Sequence, residues 1–491
     1  MLCLISLTIF YRIKVNKQNT FNYQLSIFNY QLNSIFVPEM YNFNRYREHY
    51  SAMLKLALPI VISQLGHIFV QFADNVMVGQ YGGDDPLPLA AVSFGVMMSF
   101  LFFITAQGMT LGLTPLIGEL YAQGDKRHSA SYLKHAIILF TLLGGLFVTL
   151  QIGTERLLYH MGQPVEVVDA ALPYYRLMAY SLLPMMLFSA FKNFLDGVGN
   201  TVVPMVIMML CNLLNIGLNW VFIYGKFGAP EMGVVGAGLA TLLSRLLMPV
   251  LGIGYFVLRS RYRAYTALLP QVRICISDFV SLLKMGTPIA LQMLLESAAF
   301  VITGVMMGWF GAVAISANQI AMTLGNAAFM IVVAVGSAVT IRVSHCYGAR
   351  DVDNLSLAAK ASLHMVILWN SFAALVFVTM NHLIPQLFTT NAEVLAIASQ
   401  MLTMVALYQI FDGLQCVGIG ILRGFQDVKI IPWISFLAYI ALNIPVGYLC
   451  GFTFGLGPSG LFLGYLFGLG TSALLALWRI RHQVRIFRQA F

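Results

Sequence analysis

Asp74, Glu296 and Asp412 each interrupt an apolar run of bilayer-spanning length, about 20 residues. Ionisable groups at such positions are costly to keep in hydrocarbon and mark ion or substrate paths. Glu296 follows Lys284 by 12 residues, which at a helical rise of about 1.5 Å puts it about 18 Å along its run. Asp412 precedes Arg423 by 11 residues, about 16 Å from the same edge by that rise. The two acids therefore share a depth near the midplane. Two carboxylates at one depth repel unless a cation joins them or a proton stays bound, so the pair has the chemistry of an ion or proton switch. Tyr408 lies one turn before Asp412 and offers that face an oxygen or a ring. Asp74 stands eight residues short of Gly82, about 12 Å from the opposite edge. The competing reading for each acid is a protonated carboxyl bonded to neighbouring helices.

The elements that carry these groups follow from composition. Of 491 residues, 59% are hydrophobic and 10% charged, a balance that makes lipid the solvent for most of the chain. Long apolar runs without alternation must be helices, which excludes a β-barrel. Runs near 54–80, 88–112, 132–153, 171–191, 203–225, 233–258, 279–309, 313–340, 357–380, 396–421, 430–453 and 459–478 predict an all-α membrane protein of about 12 transmembrane helices. With both termini and every second loop on one side, that side holds all 28 Lys and Arg except Arg156, Arg176, Lys226 and Arg245. The positive-inside rule makes it cytoplasmic. The formal net charge of +9 is thus spread over loops and argues against nucleic acid as a partner. Six scattered cysteines show no disulfide or metal-ligand spacing. Residues 1–49 are expected to be a disordered extension; within it FNYQL occurs twice, and Met40 is a candidate start.

The chain repeats itself. Lys55-Leu-Ala-Leu-Pro59 and Lys284-Met-Gly-Thr-Pro288 are offset by 229 residues, and Gly79 and Gly82 match Gly308 and Gly311 at the same offset. Tyr121 pairs with Tyr347, Asp196-Gly197 with Arg423-Gly424, and Asn215 with Asn443 at nearly that spacing. Two six-helix lobes are predicted, residues 50–270 and 271–491. An even number of spans per lobe makes them parallel repeats about an axis along the membrane normal, an arrangement able to alternate access to a cavity between them. His67 falls at the repeat position of Glu296 and could titrate near neutral pH. Gln64, Gln71, Asn215, Asn219, Asn318, Gln319 and Gln409 are expected to satisfy one another between helices. Arg245 has no obvious partner.

At these residues a resemblance becomes specific. Phe72-Ala-Asp74-Asn-Val-Met-Val-Gly79 resembles the first-helix signature of the MATE (multidrug and toxic compound extrusion) family. Asn215-Ile-Gly-Leu-Asn219-Trp-Val-Phe-Ile-Tyr-Gly-Lys-Phe-Gly-Ala-Pro-Glu231, Gly233-Val-Val-Gly-Ala-Gly-Leu-Ala-Thr241 and Tyr408-Gln-Ile-Phe-Asp412 with Leu422-Arg-Gly424 are similar to its NorM-like branch. The resemblance covers about residues 50–485. It implies an antiporter in which inward Na+ or H+ drives efflux of organic cations, working as a monomer in the bacterial inner membrane without a further cofactor. Glu296, Tyr408 and Asp412 then match the C-lobe cation site, with Na+ at Glu296 and Asp412. Asp74, with Asn215 and Asn219, matches an N-lobe proton or substrate site. Asn219 stands where the DinF-like branch has an Asp, which turns the expectation toward Na+ at the C-lobe. The alternative is a lipid-linked oligosaccharide flippase of the same superfamily, whose cavity should be cationic; here three acids face the single Arg245. The dispersed histidines supply no catalytic constellation for an intramembrane enzyme.

Overall fold

A computed structural model describes residues 43–83 and 85–490. Among them every regular element is helical. Twelve long helices follow in order: α1 Phe43–Gly82, α2 Leu87–Gln123, α3 Lys126–Gly153, α4 Val165–Gly197, α5 Val202–Tyr224, α6 Gly233–Leu258, α7 Ile276–Gly308, α8 Ala312–Gly348, α9 Val352–Thr379, α10 Ala392–Gly424, α11 Ile431–Thr453 and α12 Pro458–Ala490. All but α4 contain a stretch long and apolar enough to cross a membrane; α4 carries Glu166, Asp169, Arg176, Lys192 and Asp196 toward its two ends. The expected spans are found, but the helices run past them, as α8 does to Gly348. Apolar runs mark only the part of a helix that meets lipid. α1 begins at Phe43, so the end of the expected extension is helical. The FNYQL repeat and Met40 lie outside the described residues.

The outward faces are apolar. On α3, Leu142, Leu146 and Leu150 stand exposed at intervals of one turn, the surface that acyl chains would cover. Helix ends show the repeat in backbone detail. Asp125 caps α3 by accepting from His128 N at 3.0 Å, and Asp351 caps α9 by accepting from Asn354 N at 3.0 Å. The residue before each cap is left-handed, Gly124 at φ +74° and Arg350 at φ +59°. The second copy thus tolerates a side chain where the first uses glycine.

Between elements, small residues set the spacing. α12 presents Gly460, Gly464 and Gly468 to α11, a small-residue stripe of the kind that lets helix backbones touch. An added Cβ on Gly464 would lie 2.9 Å from Gly447 Cα. α11 widens to π winding over Phe436–Asn443, next to Pro445, which lacks an N–H to donate to the preceding turn.

The two halves of the bundle meet where α2 packs on α7 and α8 and where α3 packs on α7. Gly108 faces Ala290, Gly112 faces Gly286, and Gly118 faces Ser344. His345 Nε2 bonds Gly197 O at 2.7 Å, and Gln426 Nε2 donates to Glu119 Oε2 at 2.5 Å. All of these contacts sit toward the face where α2, α4, α8 and α10 end and α7 starts.

Candidate functional site

Beyond that seam, a cavity of about 860 Å³ is lined by α1, α2, α4, α5 and α6 of the first half and by α7, α8 and α10 of the second. Glu296, Asp412, Tyr408, Asp74 and Asn215 all line it.

On the second-half wall, Glu296 comes from α7 and Asp412 from α10. Gln292, one turn before Glu296, donates Nε2 to Glu296 Oε2 at 2.6 Å and accepts from Arg423 Nη2 on its own Oε1 at 2.6 Å. The amide thus links a guanidinium to a carboxylate without letting them touch. Tyr439, from the π segment of α11, brings its hydroxyl within electrostatic reach of Glu296. Asp412 differs. It is only 7% exposed, yet among the described residues it accepts no hydrogen bond, and the charged group that acts on it is Glu296. Tyr408 holds the same face of α10 against Tyr465 and Phe462, with ring centroids 5.6 and 6.1 Å apart. The wall therefore collects carboxylate and phenol oxygens, the hard donors that a small monovalent cation takes. No cluster of three or more His, Cys, Asp or Glu occurs among the described residues.

On the first-half wall, Asn219 of α5 donates to Asp74 of α1. Asn215 accepts from Asn219 Nδ2 at 3.2 Å; with its amide turned over, its nitrogen instead reaches Asp74 Oδ1 at 3.2 Å and its oxygen Thr241 N–H at 3.2 Å. The spacing of Asn215 and Asn219, one turn apart, brings both amides to the acid. His67 stacks on Phe103 at 6.4 Å and meets Gln71 at 3.3 Å. Arg245 of α6 sets its guanidinium 5.4 Å from the centroid of the same Phe103 ring and donates to Ser181 Oγ at 2.7 Å.

A family model, MatE, matches the chain twice, over residues 59–221 and 288–449. The chain belongs to the MatE family. Both matches begin at the repeated prolines, Pro59 and Pro288, so the duplication read from the sequence is that of the family. A MatE protein is a membrane transporter and not an enzyme. Curated relatives agree. The chain is 30% identical over 410 residues to the multidrug resistance protein NorM of Vibrio parahaemolyticus, covering 84% of this chain and 89% of the relative. It is also 30% identical over 455 residues to the multidrug resistance protein MdtK of Edwardsiella ictaluri, covering 89% and 96%. Among solved structures, a variant of the Vibrio cholerae MATE transporter VcmN superposes with a TM-score of 0.82 at 19% identity, over 90% of this chain and 98% of that one. A MOP superfamily transporter from Pyrococcus furiosus gives 0.81 at 20%, over 90% and 97%. These likenesses show a shared MatE fold.

Of the candidate site residues read from the sequence, Glu296, Tyr408, Asp412, Asp74 and Asn215 line the cavity, while Asn219 is buried behind Asp74. One reading needs correction: Arg245 is not the single buried cation, because Arg423, treated as an edge marker, turns inward to Gln292. A side chain of that length reaches well beyond its own Cα. Gln292 was legible as the residue one turn from Glu296; Tyr439 was not, since nothing in the sequence announces the π winding that aims it.

Proposed function

We propose that this MatE protein is a multidrug efflux antiporter of the inner membrane, exporting organic cations in exchange for Na+ or H+ by alternating access. The observation that carries the reading is Asp412: an almost fully enclosed carboxylate beside a second one, facing a cavity, with no donor among the described residues. Burying such a group without a partner costs several kcal/mol, so its charge has to be met by something that enters.

In this reading Na+ enters between Glu296 and Asp412 with Tyr408 nearby, and protons compete for the same oxygens. The ion neutralises the pair, which favours the state that releases it inward. An organic cation then takes up the freed negative wall, its rings against Phe300 and Phe329. Coupling requires each ligand to bind the two states unequally. The face sealed by Gly108, Gly112 and Gly118 is assigned as cytoplasmic, since both halves of the charge asymmetry place the basic loops there.

The test uses proteoliposomes in which Na+ and pH gradients are imposed separately. Glu296→Gln and Asp412→Asn should each abolish Na+-driven export of a fluorescent cation, while the purified proteins remain monodisperse with wild-type helix content. Normal coupled export by either amide variant refutes the assignment.

A further inference from the structure

Arg245 has Asp74 as its nearby opposite charge, acting at a distance and without direct contact. It lines the cavity, is anchored on one edge by Ser181 Oγ at 2.7 Å, and lies 5.4 Å from the Phe103 centroid. The acid on the same wall, Asp74, accepts from Asn219 with Asn215 beside it, and makes no direct contact with the guanidinium. Among the described residues Arg245 forms an ion pair with no carboxylate. A guanidinium carries five N–H donors in a planar fork suited to a carboxylate, and one hydrogen bond uses few of them. A structural arginine in a membrane interior would be expected to pair with the nearest acid. Here two amides are built around that acid instead, and the guanidinium is left facing the space that cargo enters.

We propose that Arg245 is a specificity-determining residue of the cavity, the seat for an acidic group on the cargo. The carboxylate of such a cargo sits on Arg245 at the first-half wall, and its cationic nitrogen lies toward Glu296 and Asp412 at the second. The aromatic body between them packs on Phe100, Phe300 and Phe329. This rests on the efflux reading above and assigns the residue that tells an acid-bearing cargo from a simple cation. A purely cationic cavity would serve an anion, and a purely anionic one a simple cation; opposed walls of opposite sign select molecules that carry both.

A matched pair of dyes tests it: rhodamine B, which holds a free carboxylate beside its delocalised cation, and its ethyl ester, which is a cation only. Binding to the purified protein is read by fluorescence polarisation, and export by the same proteoliposomes. Arg245→Gln should weaken rhodamine B binding about tenfold or more, the loss expected for a charge-assisted hydrogen bond. The ester should stay within about twofold of wild type, and Arg245→Lys should restore part of the loss for rhodamine B. Equal losses for both dyes, or none for either, overturn the proposal. If Arg245 served only to balance Asp74, both dyes would weaken together and Asp74→Asn would restore them, which also overturns it. Wild-type protein that binds both dyes with this Arg245 dependence but moves neither under any gradient would sink the efflux reading while upholding the binding role.

Discussion

Gly108→Ala adds one carbon to the seam between the two halves. That Cβ would lie 2.5 Å from Ala290 Cα and 3.0 Å from Ala290 N, where ordinary contact is 3.4–4 Å. The obstacle is backbone, so no rotamer change relieves it, and α2 and α7 must part by about 1 Å. Overpacking of this kind costs about 1–3 kcal/mol. If the contact is made only when this face is closed, the cost falls on the closed state alone, and the closed-to-open ratio drops about five- to 150-fold. Spin labels on Lys126 and Lys429, both exposed near this face, should show a longer mean distance by double electron–electron resonance. Export driven by an imposed gradient should slow by a comparable factor. Gly304→Ala is the control: it lies in α7 with nothing within 4 Å of the added carbon, and it should change neither quantity. Wild-type distances and rates in Gly108→Ala would show that the seam does not open during transport, and the alternating-access argument would lose its moving part.

Other outcomes follow from single contacts. Gln292→Met removes the amide that separates Arg423 from Glu296; the guanidinium is then free to pair with the acid directly, and the Na+ concentration for half-maximal export should rise about tenfold, since charge-assisted hydrogen bonds are worth about 1.5–3 kcal/mol. Asp74→Asn leaves the amides of Asn215 and Asn219 facing another amide and removes the negative charge of the first-half wall; the apparent affinity for a purely cationic dye should fall while the response to a Na+ gradient persists, as initial-rate measurements would show. Gly464→Val pushes α12 off Gly447 and the Asn443 backbone, so the apparent melting temperature in detergent should drop, because the clash is again with main chain.

The twelve helices and their duplication were legible because lipid imposes a single rule, a long apolar helix, and because Pro59 and Pro288 keep their register across the repeat. The two acids were legible for the complementary reason: a charge in such a run stands out against everything around it. What escaped was lateral. Depth along a helix can be counted from the sequence, but which face turns inward at Arg423, or that a π turn carries Tyr439 toward Glu296, depends on contacts between elements far apart in the chain. The amide pair Asn215 and Asn219 was placed with Asp74 only through family resemblance; its approach to the acid required α1 and α5 to lie side by side.

The two walls of the cavity solve the problem of a membrane acid in different ways. Asp74 accepts from one amide of α5 and has a second beside it. Asp412 has Glu296 as its charged neighbour and, among the described residues, no hydrogen-bond donor, so its electrostatic balance depends on what occupies the cavity. A visitor shifts a conformational equilibrium only by binding the two states unequally, and a carboxylate left for a visitor to complete is a place where such a difference can arise. The proposed efflux reading therefore assigns the ion-coupling step to α7 and α10 and discrimination between cargoes to the first-half wall.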